Sequence, residues 1–290
     1  PDMDQERVAV EVSFNNPRGF QTKLRILMKN PAGEVSEIYK DIKLEKENAS
    51  YRFILGIKDW KKEKFTWAHD KPNLFAIEVQ LESKTTKTKG VPEYSFSVMK
   101  TFGFRKFDCI KGDFYLNDSI IKLHGINYSQ HWSQGGLWTS QNPNFRKDLE
   151  SLKKLGFNTI RSGGAPLSNE ALDLCDELGL LVFQEFPVHT MRSSARGLEE
   201  VRAVIEDIVN EQKHHPSIVA WVIGAENGTL VLENGNKLLK NVDQLDMSRP
   251  VISNLNCVYL DNEESFHKDT GKLMGVTNDR ILLYASHRLH

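Results

Sequence analysis

The feature that most limits what this chain can fold into is a change of periodicity near Phe107. Before it, apolar and polar residues alternate in short runs. After it, β-branched runs alternate with stretches whose apolar residues recur every three or four positions. A period of two suits half-buried strands, and a period of 3.6 suits helices that bury one stripe. Two layer architectures within 290 residues imply two domains, because domains cluster near roughly 100–150 residues. The boundary is expected at 107/108, giving residues 1–107 and 108–290.

In the first part, residues 7–14 (RVAVEVSF) alternate, and 24–28, 51–55, 74–82 and 94–100 repeat the pattern. Asn16-Pro17-Arg18-Gly19, Asn30-Pro31-Ala32-Gly33 and Lys71-Pro72-Asn73 separate these runs as turns. Several short strands at such spacing predict a β-sandwich. No Cys…Trp…Cys pattern points to a disulfide-pinned version of it.

In the second part, 120–126 reads as a strand and 144–155 as a helix with Phe145, Leu149, Leu152 and Leu155 on one face, stopped by Gly156. Residues 157–161 follow as a strand, and 168–178 as a helix opened by Ser168. The apolar run 180–186 suits a strand buried on both faces. A helix over 198–213, a strand over 218–224, a short helix near 231–242, a strand over 250–254 and a possible last strand at 281–284 complete the series. Such alternation predicts a parallel sheet with right-handed crossovers. A closed eight-stranded barrel takes about 250 residues, so the expectation is an incomplete one.

Net charge is −1, which argues against nucleic acid or anionic membrane as partner. The lysines of 58–64 are interrupted by Asp59, Trp60 and Glu63 and read as a solvated face. No apolar run approaches the roughly 20 residues of a membrane span, and no secretory leader is visible. Cys109, Cys175 and Cys257 have neither the number nor the spacing of a disulfide framework or thiolate metal site, and read as small buried residues. The compartment is left open, with a periplasmic or extracellular placement favoured over a cytoplasmic one.

Barrel enzymes carry their chemistry at the C-terminal ends of the strands. Here successive strands end in Asn127, Arg161, Glu185 and Glu226, the last in Ile223-Gly224-Ala225-Glu226-Asn227-Gly228. Two carboxylates beside an Arg and amide donors suit a polyhydroxylated ligand and oxocarbenium-type chemistry. The bland alternative is a rim closed by salt bridges, which four polar strand ends in succession make a poorer fit. His214-His215 precedes Pro216 in a helix-to-strand turn and reads as packing or capping rather than metal ligation. No Gly-x-Ser-x-Gly elbow is present.

An ordered set of segments then resembles family 2 of the glycoside hydrolases, the group of β-galactosidases, β-glucuronidases and β-mannosidases. These are Trp67 with 71–75 (KPNLF), 103–105 (GFR), 121–127 (IKLHGIN), 155–161 (LGFNTIR), 174–180 (LCDELGL) and 215–219 (HPSIV) leading to Trp221. The resemblance covers about residues 5–260. It implies an immunoglobulin-like β-sandwich followed by the N-terminal part of a (β/α)8 TIM barrel, a retaining exo-β-glycosidase activity on carbohydrate substrates, and neither cofactor nor metal. On matching positions, Glu226 is similar to the general acid/base, while Asn127, Arg161, Glu185 and Asn227 match the lining of the substrate subsite. His131 and Trp132 form either a wall of the site or a surface loop.

Three departures from the family pattern stand out. Ala225 occupies the position of an Asn whose amide holds the sugar 2-hydroxyl. Gly164-Ala165 stand where galactosidase-like members carry His-Tyr before the Pro that matches Pro166. No segment supplies the nucleophilic Glu of a seventh strand, so this chain alone is expected to be inactive. The alternative reading is a non-catalytic carbohydrate-binding or scaffolding relative, and an open sheet of this kind would be marginally stable or pair with a copy of itself as a homo-oligomer.

Overall fold

The computed structural model describes residues 7–15, 21–43, 48–57, 65–83, 95–110, 113–128, 143–188, 194–224, 229–252 and 281–284. The chain forms two compact units, one of 1–67 and 73–104 and one of 68–72 and 105–290. The first unit ends at Phe104, three residues before the expected domain boundary, and the segment 68–72 goes with the second unit.

The named strands of the first unit pair antiparallel, and an isolated parallel bridge joins Thr66 to Phe104. Strands β1 (Arg7–Asn15) and β4 (Asn48–Gly56) make one sheet. Strands β2 (Gln21–Lys29), β3 (Val35–Lys43), β5 (Phe75–Ser83) and β6 (Ser95–Phe102) make the other, in the order β3-β2-β5-β6. Alternation decides which side chains go in: Leu24, Ile26 and Met28 of β2 meet Val8, Phe53 and Leu55 of the other sheet in one apolar core. Burying such a side chain contributes roughly 1.5–3 kcal/mol of transfer free energy, enough to fix the register, since a slip by one residue would turn the whole set outward. β3 is a strand the periodicity did not announce. Its apolar residues fall on both faces, with Ile38 and Ile42 inward and Val35 and Tyr39 59% and 49% exposed. The β2–β3 turn is closed by Asn30, whose Oδ1 accepts from the N–H groups of Ala32 (3.0 Å) and Glu34 (2.9 Å). The turn at 16–19 lies outside the described residues.

The second unit opens with a small antiparallel sheet, β7 (Phe107–Ile110), β8 (Asp113–Leu116) and β9 (Ser119–Ile121). The run expected as one strand at 120–126 is therefore split at Lys122 between β9 and β10 (Leu123–Tyr128). Cys109 corrects the reading of all cysteines as buried: it sits on β7 and is partly exposed, whereas Cys175 is buried and Cys257 lies outside the described residues.

Helix α1 (Pro143–Lys154), strand β11 (Thr159–Ser162), helix α2 (Asn169–Leu178), strand β12 (Leu181–Glu185), helix α3 (Ala195–Gln212), strand β13 (Ile218–Val222), helix α4 (Thr229–Leu245), strand β14 (Val251–Ile252) and strand β15 (Ile281–Tyr284) follow. Six strands form one parallel sheet in the order β14-β13-β12-β11-β10-β15. β15 thus joins at β10 and not beside β14, the edge that chain order alone suggests. Ile160, Val182, Ile218 and Trp221 pack one face of the sheet against Leu149 of α1, Leu172 of α2 and Ile205 of α3. Leu155, expected on the buried face of the first helix, lies past its end and is 75% exposed, because Gly156 takes a left-handed φ of 89° and ends the turn. The helix expected near 231–242 is longer at both ends.

Two features pin the N-terminal ends of the strands. Asn158 accepts from His124 N (2.8 Å), donates to Lys122 O (2.8 Å) and receives Leu181 N at its own carbonyl (2.8 Å), so one side chain and its backbone join three strands. Gly179 ends α2 at φ 69°, and a Cβ there would lie 2.8 Å from the His69 carbonyl carbon and closer still to its oxygen. Lys153 clasps the same place, donating to His69 O (2.7 Å) and Gly179 O (3.2 Å). Gly179→Ala should therefore cost more than the roughly 1–2 kcal/mol of a left-handed residue. Gly156→Ala, with φ 89° and open space around its Cβ, is the control that carries that backbone cost alone. Chemical denaturation of the two variants measures the difference; equal losses would mean that segment 68–72 does not lie against Gly179.

A buried carboxylate, Asp246, lies beyond β13 among Trp221, Ser248 and Arg249. Asp246 accepts from Trp221 Nε1 (2.9 Å), from Ser248 and from Arg249. Burial opposes ionisation, yet Arg249, Ser248 and Trp221 together hold its carboxyl well below the usual carboxylate range. A depressed folded value means that its stabilisation is present above the ordinary value of about 3.9 and is lost as pH falls toward the lower folded one. Wild-type stability should thus fall more steeply below about pH 4 than that of Asp246→Asn, as read by Trp fluorescence on denaturation.

Candidate active site

The polar strand ends converge because parallel strands in register put matching residues side by side. Asn127 of β10 is paired with Arg161 of β11, and Arg161 with Phe183 of β12. Glu185 lies two residues beyond Phe183, hence on the same face. The intervening residues Ile126, Ile160 and Val182 belong to the helix-side core, so Asn127, Arg161 and Glu185 point to the opposite face of the sheet.

Arg161 is 4% exposed and Glu185 fully buried. Arg161 donates from Nε (3.0 Å) and Nη2 (2.8 Å), both to Glu185 Oε2. Two donors on one oxygen leave Glu185 Oε1 buried with no hydrogen-bond partner, and Asn127 Oδ1 is in the same condition. Unpaired buried acceptors are rare because each costs about 1–3 kcal/mol. Two of them, on β10 and β12 at either side of Arg161 on β11, form a place that rewards a hydroxyl donor.

Residues that the sequence reading passed over surround this pair in the chain, and one of them, Ser162, bonds to it directly. The Ser162 hydroxyl accepts from Glu185 N (2.7 Å) and faces Phe183 O (3.5 Å), extending the β11–β12 ladder by a side chain where backbone pairing stops. Tyr128 packs its ring on Phe145 (5.7 Å), and burial pushes its phenol well above the ordinary value. Gln184 pairs with the backbone of Leu167. The signal available in the sequence was two polar residues, Gln184 and Glu185, inside an otherwise apolar strand. Glu226, Asn227, His131 and Trp132 lie outside the described residues, as does Ala225.

At the other end of the strands, His215 is buried with its ring 4.0 Å from that of His214, the two planes tilted by 38°. Its Nδ1 lies 2.6 Å from Asp176 Oδ2, and Asp176 Oδ1 accepts from Ser217 N (2.8 Å). Asp173 completes a trio of potential ligands among the described residues. The Asp176 carboxylate is already committed to His215 and to the backbone, so this trio serves as a tie between α2 and the start of β13. Among the described residues no helix is long and apolar enough to cross a membrane.

Residues 107–270 match the family model described as "Glycosyl hydrolases family 2, TIM barrel domain". The chain belongs to family 2 of the glycoside hydrolases. Among curated proteins it is 25% identical over 87% of its length to a beta-galactosidase of Thermoanaerobacterium thermosulfurigenes, covering 34% of that protein. It is 30% identical over 66% of its length to the beta-glucuronidase of Mus musculus, covering 30% of it. The chain thus spans about a third of the length of the curated relatives it matches. Among solved structures, beta-glucuronidase 2 of Bacteroides uniformis, covalently bound to cyclophellitol-6-carboxylate aziridine, shares the fold with a TM-score of 0.69 at 21% identity. That match covers 87% of this chain and 32% of the other.

Proposed function

We propose that these residues form part of a retaining exo-β-glycosidase that removes terminal β-linked sugars from oligosaccharides or glycoconjugates. The observation that carries the reading is the pair of buried, unpartnered acceptors, Glu185 Oε1 on β12 and Asn127 Oδ1 on β10, at strand ends that flank Arg161 of β11 in a family 2 barrel domain. Arg161 and Glu185 make the floor of the subsite, and Asn127 and Asn227 supply amides to sugar hydroxyls. His131 and Trp132 wall it. Glu226, four residues past β13, protonates the departing glycosidic oxygen and then deprotonates water, while a second carboxylate acts as nucleophile. Residues 1–107 are read as the immunoglobulin-like β-sandwich of the family and 108–290 as part of its (β/α)8 catalytic barrel. The two antiparallel sheets around one core and the six parallel strands support that reading.

A second reading has one observation in its favour. Ala225 lacks the amide that in the family holds the 2-hydroxyl, a bond that strengthens in the transition state. A protein that keeps the pocket without the chemistry would bind sugars and not hydrolyse them. Aryl β-galactoside, β-glucuronide and β-mannoside, offered to the intact protein, separate the two. Release of the aryl group from one of them, with retained anomeric configuration by NMR, is the expected result. Binding of a sugar without hydrolysis selects the second reading, and neither binding nor hydrolysis overturns both.

A further inference from the structure

The helix-facing side of β12 carries a polar group where the pattern calls for an apolar one. Gln184 is buried in the layer that otherwise holds Val182, Phe186 and Trp221. Its side-chain amide is paired with the Leu167 peptide in the manner of a strand neighbour: Gln184 Oε1 accepts from Leu167 N (3.2 Å) and Gln184 Nε2 donates to Leu167 O (3.2 Å). Gln184 Nε2 also donates to Gln212 Oε1 (2.7 Å), and Gln212 Nε2 donates to Leu167 O (2.9 Å). Two glutamines from different elements, β12 and the end of α3, thus close on the backbone N–H and C=O of one residue, Leu167, in a connected buried network.

That residue ends the loop 163–167, which leaves β11 directly after Arg161 and Ser162 and runs along the end of the sheet where Glu185 lies. The other end of the loop is held by Gly163 N donating to Tyr128 O (3.1 Å). Between the anchors, Gly163, Gly164, Ala165 and Pro166 are half-exposed, with Gly164 at φ 81° and open space around Gly163. Segments of glycine and alanine have little packing of their own to keep them in place. A buried polar network is a costly device in an apolar layer, and it is retained where it fixes one backbone arrangement among several.

We propose that Gln184 and Gln212 are positioning residues that fix the 163–167 loop over the Arg161–Glu185 pair, so that the loop forms a preset wall for the bound sugar. Gln184 is adjacent in the chain to Glu185, so the same strand sets both the floor and, through its side chain on the other face, the wall. The sugar-binding half of this inference rests on the function proposed above; the loop-holding half does not.

The test uses Gln184→Met, close in size and without the amide, in the intact protein, with Gln212→Met as a second variant should the first not fold. Hydrogen exchange at Leu167 and its loop should rise by about tenfold or more, the consequence of one unpaired buried peptide group, while exchange in β13 stays as in wild type. Unchanged loop exchange overturns the proposal, whatever the activity. On the aryl β-glycoside that the wild type hydrolyses, KM should rise about fivefold or more with kcat nearly kept, as for lost ground-state positioning. An equal fall in kcat with KM unchanged overturns the wall. If the wild type hydrolyses none of the three aryl glycosides, the glycosidase reading fails, and loop exchange alone decides the positioning claim.

Discussion

Arg161→Met is expected to destabilise the protein by about 3–5 kcal/mol, the cost of leaving a buried carboxylate without its guanidinium. Both Arg161 bonds go to one oxygen of Glu185, which has no exposure through which water could replace them. A surface pair such as Arg146–Glu177, with both side chains about half exposed, should by contrast change stability by less than about 1 kcal/mol when broken. The paired substitution Arg161→Met with Glu185→Leu separates structure from function. Removing both charges should recover much of the stability, because buried ion pairs replaced by apolar residues of similar size are often neutral. Sugar binding should not return with it, since the floor of the subsite is gone. Chemical denaturation and a binding titration with the wild type and these two variants read the two quantities. Full recovery of binding in the double variant would show that the pair only holds the barrel together.

The division into an antiparallel unit and a parallel α/β unit was legible because each period, 2 or 3.6, is imposed by which side chains must be buried. Ser168 as the cap of α2 was legible for a local reason: its hydroxyl accepts from Ala171 N (3.3 Å), a bond three residues away. What escaped was tertiary. β3 hid because its partners on β2 tolerate apolar residues on both of its faces. The break at Lys122 between β9 and β10 depends on two different sheets claiming the two ends of one β-branched run. The pairing of β15 with β10 joins strands more than 150 residues apart in the chain, which no local pattern announces. At the site, the strand-end positions of Asn127, Arg161 and Glu185 could be read from pattern. That both Arg161 donors would fall on one oxygen could not, and neither could the closing of Gln184 and Gln212 on Leu167. Those depend on side-chain directions between elements more than fifteen residues apart in the chain.

Glu226 carries the largest functional expectation. General acid catalysis contributes about 10²–10⁴-fold, and it does so in proportion to the need of the leaving group for a proton. An alkyl or sugar leaving group departs as a poor alkoxide and needs the acid. An activated nitrophenolate is stable enough to leave without it. Ala225→Asn bears on the same step from the other side: restoring an amide for the 2-hydroxyl should raise kcat/KM, by tenfold for each ~1.4 kcal/mol that the bond gains in the transition state.

The most direct measurement is therefore kcat/KM of Glu226→Gln against wild type on two substrates of the same sugar, one with a nitrophenyl and one with a sugar leaving group. A loss of about 10²–10⁴-fold is expected on the second and a much smaller loss in the first step on the nitrophenyl glycoside. Equal losses on both would contradict the assignment of Glu226 as acid/base.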